Sequence, residues 1–259
     1  MSFFKRIALA AAVVVMAAGA AEAKDWTVVR MGTEGAYPPF NYIDSNGELK
    51  GFDIDIGKAL CEAMKVKCEW VTQDWDGIIP ALQAGKFDTI IASMSITDER
   101  MKQIDFSNKY YNSPPAIVTP KDTKMTGATA DDMKGAVIGA QTSTTHSQMI
   151  EKHFPGAELK LYPTAEELQL DLENGRLDGA IDDVIVIKDW LKTDAGACCK
   201  VLSTLTPDPE IYGPGAGIGV RKEDADLKEM LNKAIDQIRA DGTYKKINDA
   251  YFDFDVYGG

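Results

Sequence analysis

A chain of 259 residues, 45% hydrophobic and 26% charged, has a globular composition with room for one large domain or two of ordinary size, which excludes a disordered chain. Its formal net charge of −12 excludes a nucleic-acid surface, because displacing counterions from phosphates needs a basic stripe. The acidity serves solubility.

Taken in chain order, the first 23 residues read apart from the rest. Lys5 and Arg6 precede an apolar run over 7–20, and Ala21, Glu22 and Ala23 place small residues around a cleavage point. This is the pattern of a secretory signal, and the run is shorter than the roughly 20 residues a membrane helix needs. Cleavage after Ala23 removes two bases and one acid, so the mature chain, expected outside the cytoplasm, is one unit more acidic.

Strand 26–33 comes next, followed by a loop over 34–40 holding Glu34, Tyr37, Pro38 and Pro39. Asn46-Gly47 marks a hairpin turn. Asp53 is read as capping a helix over 53–65, and strand 68–72 returns. Cys61 near the helix end and Cys68 at the strand start are close enough across a short turn to predict a Cys61–Cys68 disulfide in an oxidising compartment. After Asp74, Trp75 and Asp76, a helix over 78–82 tolerates Pro80 in its first turn.

The stretch 89–100, T-I-I-A-S-M-S-I-T-D-E-R, carries the most chemistry. An apolar strand over 89–92 ends in the polar tip Ser93, Met94 and Ser95, and Thr97 caps a helix whose first turn holds Asp98 and Glu99. Arg100 then faces back toward the serines at a strand's carboxyl end, where open α/β sheets bind ligands. Its planar fork matches a carboxylate. The plainer alternative is an exposed arginine paired with Asp98 or Glu99.

Residues 110–119 contain two consecutive prolines and are read as an extended crossing. A second set of units follows: strand 136–141, a helix from Ser143, strand 158–162, a helix over 164–173 with Thr164 and Glu167 as a capping box, strand 177–181 and helix 184–191. Cys198 and Cys199 are adjacent, and a strained bridge, free thiols and an intermolecular link all stay open. No metal is expected, since neither cysteine pair has zinc spacing and the only histidines, His146 and His153, lie near neither. Residues 210–220, with four glycines, are read as an extended return, and helices over 223–240 and 243–251 close the chain. Alternating strands and helices imply mostly parallel sheets, and two crossings imply two lobes with a ligand cleft between them.

Six ordered motifs, G-T-E-G-A-Y-P-P-F (32–40), G-F-D-I-D-I (51–56), D-W-D-G-I-I-P-A-L (74–82), S-M-S-I-T-D-E-R (93–100), G-R-L-D-G-A-I-D-D (175–183) and D-G-T-Y (241–244), resemble the periplasmic polar amino-acid-binding proteins of ABC importers, most closely the lysine/arginine/ornithine- and histidine-binding branch. The Cys61/Cys68 spacing and the terminal Y-F-D-F-D-V-Y-G (251–258) resemble it too. The resemblance implies a periplasmic-binding-protein-like type II fold: a signal over 1–23, lobe 1 over 24–111 and 216–259, hinges at 112–115 and 207–215, and lobe 2 over 116–206. It implies a periplasmic monomer without cofactor that captures a free L-amino acid of the basic class (arginine, lysine, ornithine or histidine) and delivers it to an inner-membrane ABC permease.

Placed residue by residue, the resemblance gives Arg100 the ligand's α-carboxylate, with Ser95 and the backbone N–H of Thr144, beside Ser143, assisting. Asp183 takes the α-ammonium with the Ser93 carbonyl nearby, and Met94 belongs to the same binding tip. Tyr37 and Trp75 sandwich the ligand's side chain, and Glu34 faces its cationic end. Glu34 stands where the branch commonly has Asp, Trp75 replaces a smaller aromatic, Ala92 a serine, and Ala140 and Thr145 stand for Leu and Gln. Glutamine and opines therefore remain alternative ligands, and a dehydratase on the same fold is the enzymatic alternative.

Overall fold

The structure, a computed structural model, describes residues 24–258; the export signal read in 1–23 lies outside the described residues. Two five-stranded sheets organise the chain. In the first the order is Lys67–Thr72, Val28–Thr33, Thr89–Ile90, Ala216–Val220 and Asp105–Tyr111. Its first three strands are parallel, and Ala216–Val220 runs antiparallel to both neighbours. The second has the order Glu158–Tyr162, Val137–Gln141, Gly179–Asp183, Pro115–Pro120 and Cys199–Thr204. Again three strands are parallel, and two antiparallel strands complete the edge.

Each sheet thus carries an α/β lobe, and the chain passes between them twice. Asp105–Tyr111 belongs to the first sheet and Pro115–Pro120 to the second; the return runs from Cys199–Thr204 to Ala216–Val220. Aromatic packing fixes the returning carboxyl end to the first lobe. Phe40 and Phe52 meet Phe252 with ring centroids 5.8 and 5.2 Å away. Buried Arg221 adds a polar tie, donating from Nη1 to the carbonyls of Leu82 and Phe87 at 3.2 and 2.6 Å and from Nη2 to Asp88 at 2.9 Å. Asp224 Oδ2 also lies 2.6 Å from Nη2, close enough to pair electrostatically but not aligned as a hydrogen bond.

Several sequence expectations need correction. Asp53 does not cap its helix. Phe52–Met64 starts from Gly51, whose φ of 121° and close approach to the Phe40 carbonyl exclude a side chain. Asp53 instead turns into the core, where Asn41, Ser93 and Tyr110 donate to it at 2.9, 3.0 and 2.8 Å. Regular pairing at 89–92 stops at Ile90, because Ser93 adopts φ +54° and turns the chain out of the ladder. The helix expected from Ser143 begins at Thr145, with Thr144 as cap. The 210–220 return is not extended throughout: Asp208 caps a helical turn, Pro209–Tyr212, with Pro209 in its first turn. The sheets are also more mixed than alternation alone suggested, and strand Cys199–Thr204 was not foreseen.

Other features match. Thr97 accepts from the Arg100 backbone N–H at 3.2 Å, and Cys61 is bonded to Cys68. Cys198 and Cys199, left open by the sequence, are bonded to each other. Thr164 caps Ala165–Glu173 by accepting from the Glu167 N–H at 3.2 Å. Because the cap satisfies an otherwise orphaned donor, Thr164→Ala is expected to lower unfolding stability by about 1 kcal/mol. Urea unfolding measures the loss. Among the described residues no helix is long and apolar enough to cross a membrane.

Candidate functional site

A cavity lies between the lobes, lined by residues of both, the kind of place where small-molecule sites concentrate. Eight of the ten residues singled out from the sequence line it: Glu34, Tyr37, Trp75, Ser93, Ser95, Arg100, Thr144 and Asp183. The other two do not. The Met94 side chain is buried in the first-lobe core with Ile78, Leu82 and Phe87. Ser143, held at φ +56°, contributes only its carbonyl to neighbouring side chains.

Arg100 is built into the cavity wall by the turn that follows the central strand. Its Nη1 donates to the Ser95 carbonyl at 3.0 Å, its Nη2 to the Ser143 carbonyl at 3.3 Å, and its guanidinium lies 5.3 Å from the Trp75 ring centroid. Two of five N–H donors are thereby engaged by neutral oxygens. Among the described residues no carboxylate comes within ion-pair distance, so the plainer pairing with Asp98 or Glu99 is absent. Burial pulls its pKa down to about 10, a cost that an anion would relieve. The facing group is the amino end of helix Thr145–His153. Thr144 Oγ1 accepts from Ser147 N at 3.2 Å and donates to the Gln141 carbonyl at 2.6 Å. The free N–H groups of that first turn favour an anion.

The opposite wall is acidic. Asp183, buried at the end of Gly179–Asp183, caps Val184–Trp190 by accepting from Ile185 N at 2.9 Å and also accepts from Ser113 Oγ. Burial still raises its pKa to about 7, the signature of a charge short of compensation. Asp182, raised to about 6 by burial, accepts from Tyr37 Oη at 2.5 Å and from Asp183 N at 2.7 Å. Both acids are buried. Tyr37 joins the two lobes through this bond, while its ring stacks on Phe40 at 6.1 Å. Trp75 also reaches across, donating from Nε1 to the Ser143 carbonyl at 3.3 Å; one face of its ring serves Arg100.

Three participants escaped the sequence reading. His146 lies at the cavity, 3.0 Å from Tyr212 Oη through Nδ1. Burial, reinforced by Arg100, lowers its pKa to about 3, so it is neutral and its 3.6 Å approach to Asp182 is not an ion pair. Tyr212 comes from the unforeseen helical turn. Gln141 ends a second-lobe strand, and that strand-end position is the signal that pointed to Ser93 in the first lobe.

Two wound lobes, a cleft bridged by hydrogen bonds between them, and opposed cationic and acidic walls define a solute-binding protein of the type II periplasmic kind. The chain belongs to the bacterial extracellular solute-binding proteins, family 3, which it matches over residues 29–254. It is 45% identical over 233 residues to the L-arginine-binding protein of Pseudomonas aeruginosa, covering 89% of this chain and 90% of that one. It is 39% identical over 248 residues to the ABC transporter arginine-binding protein 1 of Escherichia coli, covering 96% and 99%. A solved structure of an ancestral arginine-binding protein bound to arginine superimposes with a TM-score of 0.81 at 38% identity, covering 87% of this chain and 98% of that one.

Proposed function

We propose that this protein captures a free L-amino acid with a cationic side chain, arginine foremost, in the periplasm and passes it to an inner-membrane ABC permease. The supporting observation is the charge balance of the cavity. Its lining carries two carboxylates, Glu34 and Asp183, against one guanidinium, Arg100, with His146 neutral. A zwitterion uses Arg100 and Asp183 and leaves Glu34 for a second positive charge. The relatives named for arginine agree with that ligand.

Binding is coupled to closure because the contacts are shared. Arg100, Trp75 and Tyr37 come from the first lobe, and Thr144 and Asp183 from the second, so a ligand touching both favours the closed form. Opening turns on the two crossings, 112–115 and 207–215. Within the first, the Asn112 N–H donates to the Val256 carbonyl of the first lobe and the Pro114 carbonyl accepts from Val184 N in the second, which narrows the turning point to Ser113 between them. In the second, Gly213 at φ +60° abuts the Ile96 carbonyl, an approach only glycine permits.

Calorimetric titration with arginine, lysine, ornithine, histidine, glutamine and octopine tests the assignment. Cationic ligands should bind more tightly than glutamine; a preference for glutamine would overturn it. Glu34→Gln is expected to weaken arginine about tenfold while leaving glutamine within about twofold. Equal losses for both would remove Glu34 from its role.

A further inference from the structure

Glu34 and Gln141 are 107 positions apart and meet across the cleft, Gln141 Nε2 donating to Glu34 Oε1 at 2.7 Å. The same nitrogen donates its other hydrogen to the Pro163 carbonyl at 3.0 Å. Both amide hydrogens are thus spent, and Pro163 fixes the direction in which the remaining bond points. Gln141 is buried within the second lobe, whereas Glu34 sits on a first-lobe loop. Glu34 Oε2 accepts no hydrogen bond among the described residues and is not sealed from the cavity that Glu34 lines.

We propose that Gln141 is a positioning residue for ligand selectivity, holding one oxygen of Glu34 across the closed cleft so that the other is presented to the cationic end of the ligand. The inference deepens the reading of the site as a cationic amino-acid pocket and rests on it. Gln141 touches the ligand's partner, not the ligand's charge.

The charges around Glu34 explain why a neutral donor matters there. Asp182 on the second-lobe strand and Asp74 and Asp76 on the turn before Ile78 all press it toward the protonated form, and burial does so most. Tyr37 donates to Asp182 and so does not relieve Glu34. Arg100, His146 and Asp183 share the cavity, but the first is committed to the Ser95 and Ser143 carbonyls, the second is neutral and the third is an acid. Gln141 is the group whose hydrogen bond opposes the protonation, and with it Glu34 stands at about 7. Without that bond the carboxyl shifts further toward its protonated form and discriminates less between a cationic side chain and a neutral amide.

Gln141→Met, similar in length but without a donor, tests this with arginine and glutamine titrated into the purified mature protein. The arginine-to-glutamine affinity ratio should fall about tenfold near pH 7 and recover only in part as the pH is raised, because ionisation then returns while the positioning does not. In a Glu34→Gln background the same substitution should change the ratio by less than about twofold, since the two residues then act as one unit. A ratio unchanged at every pH, or a parallel loss for both ligands, overturns the role of Gln141 while leaving the cationic pocket intact. Wild-type protein that fails to prefer arginine overturns the pocket reading itself.

Discussion

Arg100→Ala removes binding of every amino acid, arginine and glutamine alike, with a loss on the order of 10³-fold. The expectation follows from where the guanidinium sits. It is held by two carbonyls and an indole face, buried enough to depress its pKa, and paired with no carboxylate among the described residues. Such a group is arranged for an incoming anion, and every α-amino acid offers one irrespective of its side chain. Truncation leaves that carboxylate facing Ser95 and the first turn of Thr145–His153, with no cation opposite it. Arg100→Lys should recover only part of the loss, because an ammonium keeps the charge but not the fork. Isothermal titration calorimetry measures the loss, with circular dichroism confirming an unchanged fold. Retained affinity for glutamine in Arg100→Ala would remove the carboxylate from this arginine.

Asp183→Asn is expected to lower affinity for all amino acids on the order of 10²-fold, again without regard to side chain. Asparagine still caps a helix well, so Val184–Trp190 keeps its start and stability changes little. What disappears is the charge opposite the ligand's ammonium. The pH dependence gives a second readout. Burial raises Asp183 and Glu34 to about 7, and a bound cation favours their ionised forms. The complex therefore holds fewer protons than the free protein, so arginine affinity rises with pH across roughly pH 5 to 8 and binding releases protons. Asp183→Asn should remove its share of that release, seen as a smaller dependence of the binding heat on buffer ionisation. An unchanged proton release would place the titrating group elsewhere.

Arg100 was legible because an apolar strand, a polar tip and a capping threonine precede it, whereas the role of Asp183 came from the resemblance of its motif to the family. Arg100 follows a threonine that does cap its helix, and Asp183 closes the run G-A-I-D-D and caps the next one. Side-chain direction beyond such junctions was not legible. Met94 looked like part of the binding tip, but the left-handed turn at Ser93 breaks strand alternation and sends the methionine into the core. Asp53 was placed at a cap, yet its carboxylate collects Asn41, Ser93 and Tyr110 and so braces the very turn that carries the site.

The long-range bonds were the other blind spot. Tyr37 and Asp182 are 145 positions apart, and nothing local marks a tyrosine that crosses a cleft to a buried acid. Gln141 and His146 look like ordinary polar residues until the lobes are placed face to face. Tyr212 was recoverable, because Asp208-Pro209-Glu210 is a readable helix start.

Arg100 and Asp183 gripping opposite ends of one zwitterion is the claim on which the proposed function stands. A crystal structure of the protein grown with arginine tests it most directly. The arrangement predicts the ligand's α-carboxylate within hydrogen-bonding distance of Arg100 and the Thr144 N–H, its α-ammonium on Asp183, and its guanidinium toward Glu34. A ligand whose carboxylate lies away from Arg100, or whose ammonium turns from Asp183, would contradict it.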